Sequence, residues 1–124
     1  MSYRTPVANL TYQTTDGTQQ TVFSIAVAKN SGLVVTVELF SAQDDYSNVL
    51  YGTYTSAFYR TNSGSVTRVF GGSQGLIKNT LSLFPVGVTV DLVANTGTNA
   101  IDVKITGLLL TTINHRLVIT TKNI

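Results

Sequence analysis

The feature that most limits what this chain can become is a two-residue alternation of apolar and polar side chains along almost its whole length. In "LVVTVELF", Leu33, Val35, Val37 and Leu39 fall on one side of an extended backbone, and Thr36 and Glu38 fall on the other. β-Branched residues dominate such stretches, so the chain reads as all-β with little or no helix. The spacing predicts strands over Val7 to Gln13, Thr21 to Ala28, Leu33 to Gln43, Val49 to Arg60 and Ser65 to Phe70. It continues with Ile77 to Phe84, Gly87 to Ala94, Ala100 to Thr106 and Ile113 to Thr121. Eight or nine strands suit two packed sheets: a single-domain antiparallel β-sandwich, jelly-roll-like.

Turn chemistry sits where the alternation breaks. Asp16-Gly17, Asn30-Ser31-Gly32, Asn62-Ser63-Gly64, Gly71-Gly72, Pro85 and Asn95-Thr96-Gly97 supply the positive or fixed φ that tight connections need. No repeat, linker or low-complexity tract divides the 124 residues. Residues 1–8 are expected to form an N-terminal arm and residues 9–124 the sandwich.

The segment "YRTNSGSVTRVFGG", Tyr59 to Gly72, holds two arginines beside glycines. A phosphate-binding loop needs GxxxxGK[ST] or GxGxxG leading into a helix, and neither is present. A hairpin fits better, with Gly64 closing a three-residue loop. That register sets Arg60 opposite Val66 and Arg68 opposite Phe58, with both cations on the face of Tyr54 and Phe58; a two-residue turn would split them between faces. The functional reading is a small Arg and Tyr surface for docking a partner or a polyanionic sugar. The structural alternative is that the arginines cover aromatic rings.

Catalytic chemistry finds little material. Cysteine is absent, which excludes disulfides and thiolate metal sites, and His115 is the single histidine. Alternation places His115 with Ile113, Leu117 and Ile119, as a buried or half-buried structural imidazole. Asp91 and Asp102 suggest the acid pair of a glycosidase. A two-residue Thr96-Gly97 turn would set them face to face, which is repulsive; a four-residue Thr96 to Asn99 loop sets Asp91 opposite Lys104 and Leu92 opposite Val103. The second register is adopted, leaving both acids as outer-face residues. Asp44, Asp45 and Asn48 lack the alternating ligands and distal Glu of a calcium loop, so a turn is expected there. Tyr46, Tyr51, Tyr54 and Tyr59 form the densest aromatic cluster, with Tyr51 and Tyr59 on one face and Tyr54 on the other. Sheet packing is the first reading and a contact surface the second. No catalytic residue, metal site or cofactor is expected, and enzyme activity is not.

Eight basic and six acidic residues give a net charge of +2, too sparse for the basic stripe of a nucleic-acid binder. No apolar run reaches the roughly 18 residues of a membrane span. "MSYRTPVANL" also lacks the basic-then-apolar pattern of a signal peptide, so a soluble product made in the cytoplasm is expected. Few charges, a mean hydropathy of +0.20 and abundant Thr, Ser and Asn suit a chain that covers much of its surface against neighbours.

Three segments carry a resemblance: "TTDGTQQTVFSIAV" (Thr14 to Val27), "YGTYTSAFYRTNSGSVTRVFG" (Tyr51 to Gly71) and "VDLVANTGTNAIDVKITGLLLTTINHRLVITT" (Val90 to Thr121). Together they resemble a β-sandwich domain of tailed-bacteriophage structural proteins, found as a small virion protein or as the outer domain of fibres. Relatives often carry a Trp in the last strand, about where "INHRLVI" stands; this chain has none. The resemblance implies a virion component that assembles with copies of itself, and no catalytic residues. With no shaft or anchoring repeat in the sequence, the expected role is a capsid decoration, or cement, protein. It would bind the assembled shell, including the major capsid protein, as a homotrimer. Tyr3 and Arg4 of the arm, with Tyr54, Arg60 and Arg68, are the expected interface. The alternative is a tail-fibre or baseplate module that binds host surface glycan.

Overall fold

The alternation is realised as two antiparallel sheets. The computed structural model describes residues 5–85 and 87–124. Nine strands follow in order: β1 (Thr5–Thr14), β2 (Gln19–Ala26), β3 (Ser31–Ala42), β4 (Val49–Arg60), β5 (Thr67–Arg68), β6 (Ile77–Ser82), β7 (Thr89–Asn95), β8 (Ala100–Thr106) and β9 (Ile113–Asn123). A single 3-10 turn, Gly72–Gly75, joins β5 to β6. No helix among the described residues is long and apolar enough to cross a membrane.

The larger sheet runs β1-β9-β3-β4, and two strands share the far edge of β4. β6 pairs along Leu50 to Thr55, and β5 along Phe58 and Tyr59. The smaller sheet is β2-β8-β7. First pairs with last, β1 with β9, and inside that pair β2 joins β8. This nesting of distant strands gives the jelly-roll-like wrap.

Between the sheets lie Leu39, Tyr54 and Phe58 from the larger one and Leu92, Ile101 and Ile105 from the smaller, all fully buried. Side chains of this size each contribute about 1.5–3 kcal/mol on leaving water. The predicted face of β3 is the inner one: Val35, Val37 and Leu39 are buried and Glu38 is exposed.

β4 and β8 run over the residues that the spacing predicts. Both hairpin registers also hold, with Phe58 opposite Arg68 and Asp91 opposite Lys104. Elsewhere the ends differ for local reasons. β1 begins at Thr5, so residues 5–8, expected as part of an arm, lie in the sheet opposite β9; residues 1–4 fall outside the described residues. β2 starts two residues early and carries a bulge between Thr21 and Phe23. β5 keeps only two residues of the predicted Ser65 to Phe70 strand. On one side of it, the Val66 amide donates to Asn99 Oδ1 at 3.1 Å; on the other, Arg68 bonds the carbonyls of Phe70 and Gly72 and curls the chain away.

Six strands cannot all be covered by three. β6 overhangs the smaller sheet, and every one of its side chains is exposed. Gly52 on β4 lets it sit close: a Cβ there would meet the Thr80 methyl at 2.6 Å.

Candidate interaction surface

The expected interface residues do not gather into one surface. Arg60 and Arg68 do share a face, but their guanidinium groups bond backbone carbonyls. Arg60 donates from Nη1 to Val27 O at 3.0 Å and from Nε to Gly64 O at 3.1 Å. Arg68 donates from Nη1 to Leu92 O at 3.1 Å and lies 3.6 Å from Asp91 Oδ1. Val27 and Leu92 belong to the side of the smaller sheet, so the two arginines tie the sheets together at their margin. The hydrogen bonds account for both cations without a partner, and the aromatic-cover reading gives way to carbonyl capping. Tyr54 is buried and not on the surface; among the described residues its hydroxyl has no partner at full hydrogen-bond geometry, with Thr89 and Val90 near it. Burial raises its pKa above the usual phenol value. Tyr3 and Arg4 lie outside the described residues.

His115 is buried where alternation put it, 2 % exposed. Ser41 Oγ stands 2.7 Å from Nδ1 and Thr14 Oγ1 stands 2.8 Å from Nε2. A neutral imidazole satisfies one nitrogen as donor and the other as acceptor against two hydroxyls. Desolvation lowers its pKa to about 4. Three β-strands meet at this cluster, and Gly107 beside it has no room for a Cβ against Thr14 Oγ1 and Asp16 O. The imidazole is a structural cross-brace.

Asp91 and Asp102 do not face each other. Asp102 sits opposite Ser24 and Val93 and is buried, contrary to the expected exposed position. Ser24 Oγ donates to it at 2.7 Å and Asn95 Nδ2 at 3.1 Å, and these neighbours cover it on the outer face of the central strand. Asp45 accepts from the Ser47 amide at 3.0 Å, the side-chain turn expected of that loop. Among the described residues, no three His, Asp or Glu side chains come together as a metal site would require.

What the fold does assemble is an outer face on the larger sheet with exposed apolar side chains in line. Strand pairing lines up Thr11, Arg116, Phe40, Tyr51 and Leu81 in one row across five strands. Phe40 is 47 % exposed, Tyr51 43 % and Leu81 77 %, with Leu83 and Ile77 exposed beside them. The one charge in the neighbouring row is held in: Glu38 Oε2 accepts from Tyr51 Oη at 2.6 Å, which raises the tyrosine pKa.

Toward one end of the row a trough of about 310 Å³ opens, lined by Tyr12, Gln13, Phe40, Tyr46, Asn114 and Arg116. Gln13 Nε2 donates to Asn114 Oδ1 at 2.9 Å and Asn114 Nδ2 to Asp44 Oδ1 at 2.5 Å, a fixed polar chain along the rim. Tyr46 holds φ 55, a left-handed conformation that is costly for a bulky residue, and is 69 % exposed. Its amide closes the turn on Gln43 O at 2.9 Å.

Sequence reasoning missed the β8–β9 connection at the same end of the sandwich. Leu109 and Leu110 stand 76 % and 91 % exposed, Leu110 with φ 54. The signal was "GLLLTT", three leucines where turn residues belong. It was obscured because a leucine run resembles the start of another strand.

No protein-family model matches the chain, and no curated protein matches it significantly. Among solved structures, the tailspike protein of Acinetobacter baumannii phage AM24 is similar over 98 % of this chain and 26 % of its own, at 13 % identity and a TM-score of 0.46. This chain therefore spans about a quarter of that protein's length.

Proposed function

We propose that the chain is a structural protein of a tailed-phage virion, and within that class a decoration protein that binds an assembled shell as a trimer. The observation that carries this reading is the exposed row Phe40, Tyr51 and Leu81 on a broad, charge-poor sheet face. Contiguous apolar surface of this kind marks a protein contact more often than bare exterior. The resemblance of the three segments to phage sandwich domains supplies the setting. Symmetric copies each bury a modest area, and attachment gains from several contacts at once. Arg60 and Arg68 hold the sandwich rigid in this scheme, and the chain acts by adhesion with no reactive centre.

Binding of the purified chain to isolated shells tests the reading. Phe40→Asp is expected to cut occupancy at least tenfold, because a buried unpaired carboxylate costs more than the roughly 1.4 kcal/mol that a tenfold loss represents. Unchanged occupancy would sink it. A monomer by light scattering at micromolar concentration would remove the trimer.

The trough favours one second reading, a module that binds host glycan. Sugars stack on aromatic faces and hydrogen-bond to fixed amides, and Phe40, Tyr46, Gln13 and Asn114 offer both. Glycan-array binding that is lost in Tyr46→Ala, with no shell binding, would select it over decoration.

A further inference from the structure

The free edge of β6 is a seam built to meet its own copy. The Leu83 amide donates to Val49 O at 2.9 Å, which makes Val49 and Leu83 a hydrogen-bonded pair of the β4–β6 ladder. Such pairs recur every second residue, so Leu81, Asn79 and Ile77 direct their amides and carbonyls at β4. Lys78, Thr80 and Ser82 then direct theirs outward. Among the described residues β6 pairs with β4 alone, leaving three donors and three acceptors in line along an exposed strand. An edge left in this state templates the addition of another strand.

We propose that two copies of this chain join β6 to β6, antiparallel, about a two-fold axis through Thr80. In that register Thr80 faces Thr80 of the second copy, and Lys78 and Ser82 of each face Ser82 and Lys78 of the other. All six outward groups of each copy are bonded. Residues directly opposite share a sheet face, so Asn79 meets Leu81 and Ile77 meets Leu83 on the outer side, and the apolar row of each sheet ends beside that of the other, one row out of line. The count of paired groups selects this register over its neighbours: one step to either side leaves Ser82 or Lys78 outside the paired strand, and a second step to one side also sets lysine against lysine. Here the two lysines stand four residues apart along the strand, about 13 Å at 3.3 Å per residue, beyond the roughly 8 Å screening length at physiological salt. Lys78 is the single charge of the strand, and self-pairing in this register sets it against Ser82 with no like charge opposite.

A two-fold contact uses one patch twice, whereas a closed trimer joins two different patches. The seam is therefore separate from the trimer contact, and it adjoins the shell contact proposed above at Leu81.

Light scattering of the full chain over rising concentration tests it, with Thr80→Pro as the main variant. The Thr80 amide points away from β4, so proline there removes a seam donor and no intramolecular bond. Expected is an even-numbered species whose mass Thr80→Pro halves, with circular dichroism unchanged. A paired variant, Asn79→Cys with Leu81→Cys, is expected to cross-link between copies under mild oxidation, while either single change is not, because only residues 79 and 81 oppose closely. A wild-type monomer, an odd-numbered species or a mass untouched by Thr80→Pro would overturn the seam. Shell binding by the Thr80→Pro variant would then show that the decoration reading survives without it.

Discussion

Arg68 Nη1 donates to the carbonyl oxygen of Leu92 at 3.1 Å, across the margin where the larger sheet meets the smaller. Arg68 stands on a two-residue strand and Leu92 on an edge strand, so this bond fastens two of the least supported backbones in the fold. The same guanidinium also bonds the Phe70 and Gly72 carbonyls, fixing the chain on its way to β6.

Arg68→Ala should therefore destabilise the protein more than a surface change does. Hydrogen bonds from a charged donor are worth about 1.5–3 kcal/mol each, and partial exposure lowers that, so a loss of about 2 kcal/mol is expected. Urea denaturation measures it. Arg68→Lys should recover less than half, since one ammonium cannot serve three carbonyls in a fork.

Removing the Tyr54 hydroxyl should not weaken the fold. Among the described residues the oxygen has no hydrogen-bond partner, and Tyr54→Phe relieves its desolvation while keeping the ring. A gain of about 1 kcal/mol is expected in thermal or urea unfolding. A loss of similar size would show that the hydroxyl has a partner.

Acid should weaken the fold through His115. Its pKa is lowered from 6.5 to about 4 by burial, so the folded state favours the neutral ring. The stability this reflects is fully present above pH 6.5 and is lost as pH falls toward 4. Protons bind the unfolded chain first, and the span corresponds to about 3 kcal/mol. Denaturation midpoints across that range should fall in the wild type and fall less in His115→Gln. The variant is needed because carboxylates titrate near the lower limit.

Gly107→Ala should disturb the same cluster from outside it. A methyl there overlaps Thr14 Oγ1, the hydroxyl that holds His115 Nε2. Overpacking of this kind costs about 1–3 kcal/mol. The imidazole signals in a proton spectrum should shift with it, which a remote destabilisation would not cause.

The fold was largely legible because its signals are local. Pleating alone makes Val35, Val37 and Leu39 face one way. Loop length alone sets Phe58 opposite Arg68 and Asp91 opposite Lys104, since each hairpin joins strands adjacent in sequence. The candidate surface is legible only in pieces: alternation separates Tyr51 and Tyr59 from Tyr54, but the docking face is expected on the Tyr54 side, which is buried, and Phe40 and Leu81 read as two more alternating apolar residues.

The sequence by itself determined the all-β class, the approximate position of each strand, the limits of β4 and β8, the inner face of β3 and two hairpin registers, because period and turn chemistry act over a few residues. Only the tertiary structure decided that β1 meets β9 and β2 meets β8, contacts between residues far apart in the chain, such as Thr5 with Thr121 and Ala26 with Ala100, for which no short-range rule exists. It decided that Arg60 and Arg68 cap carbonyls, that Asp102 is covered, and that His115 joins Ser41 to Thr14. It also left β6 hanging beyond a three-stranded sheet with its edge open, since the width of one layer relative to the other is a property of the whole packing and of no single strand.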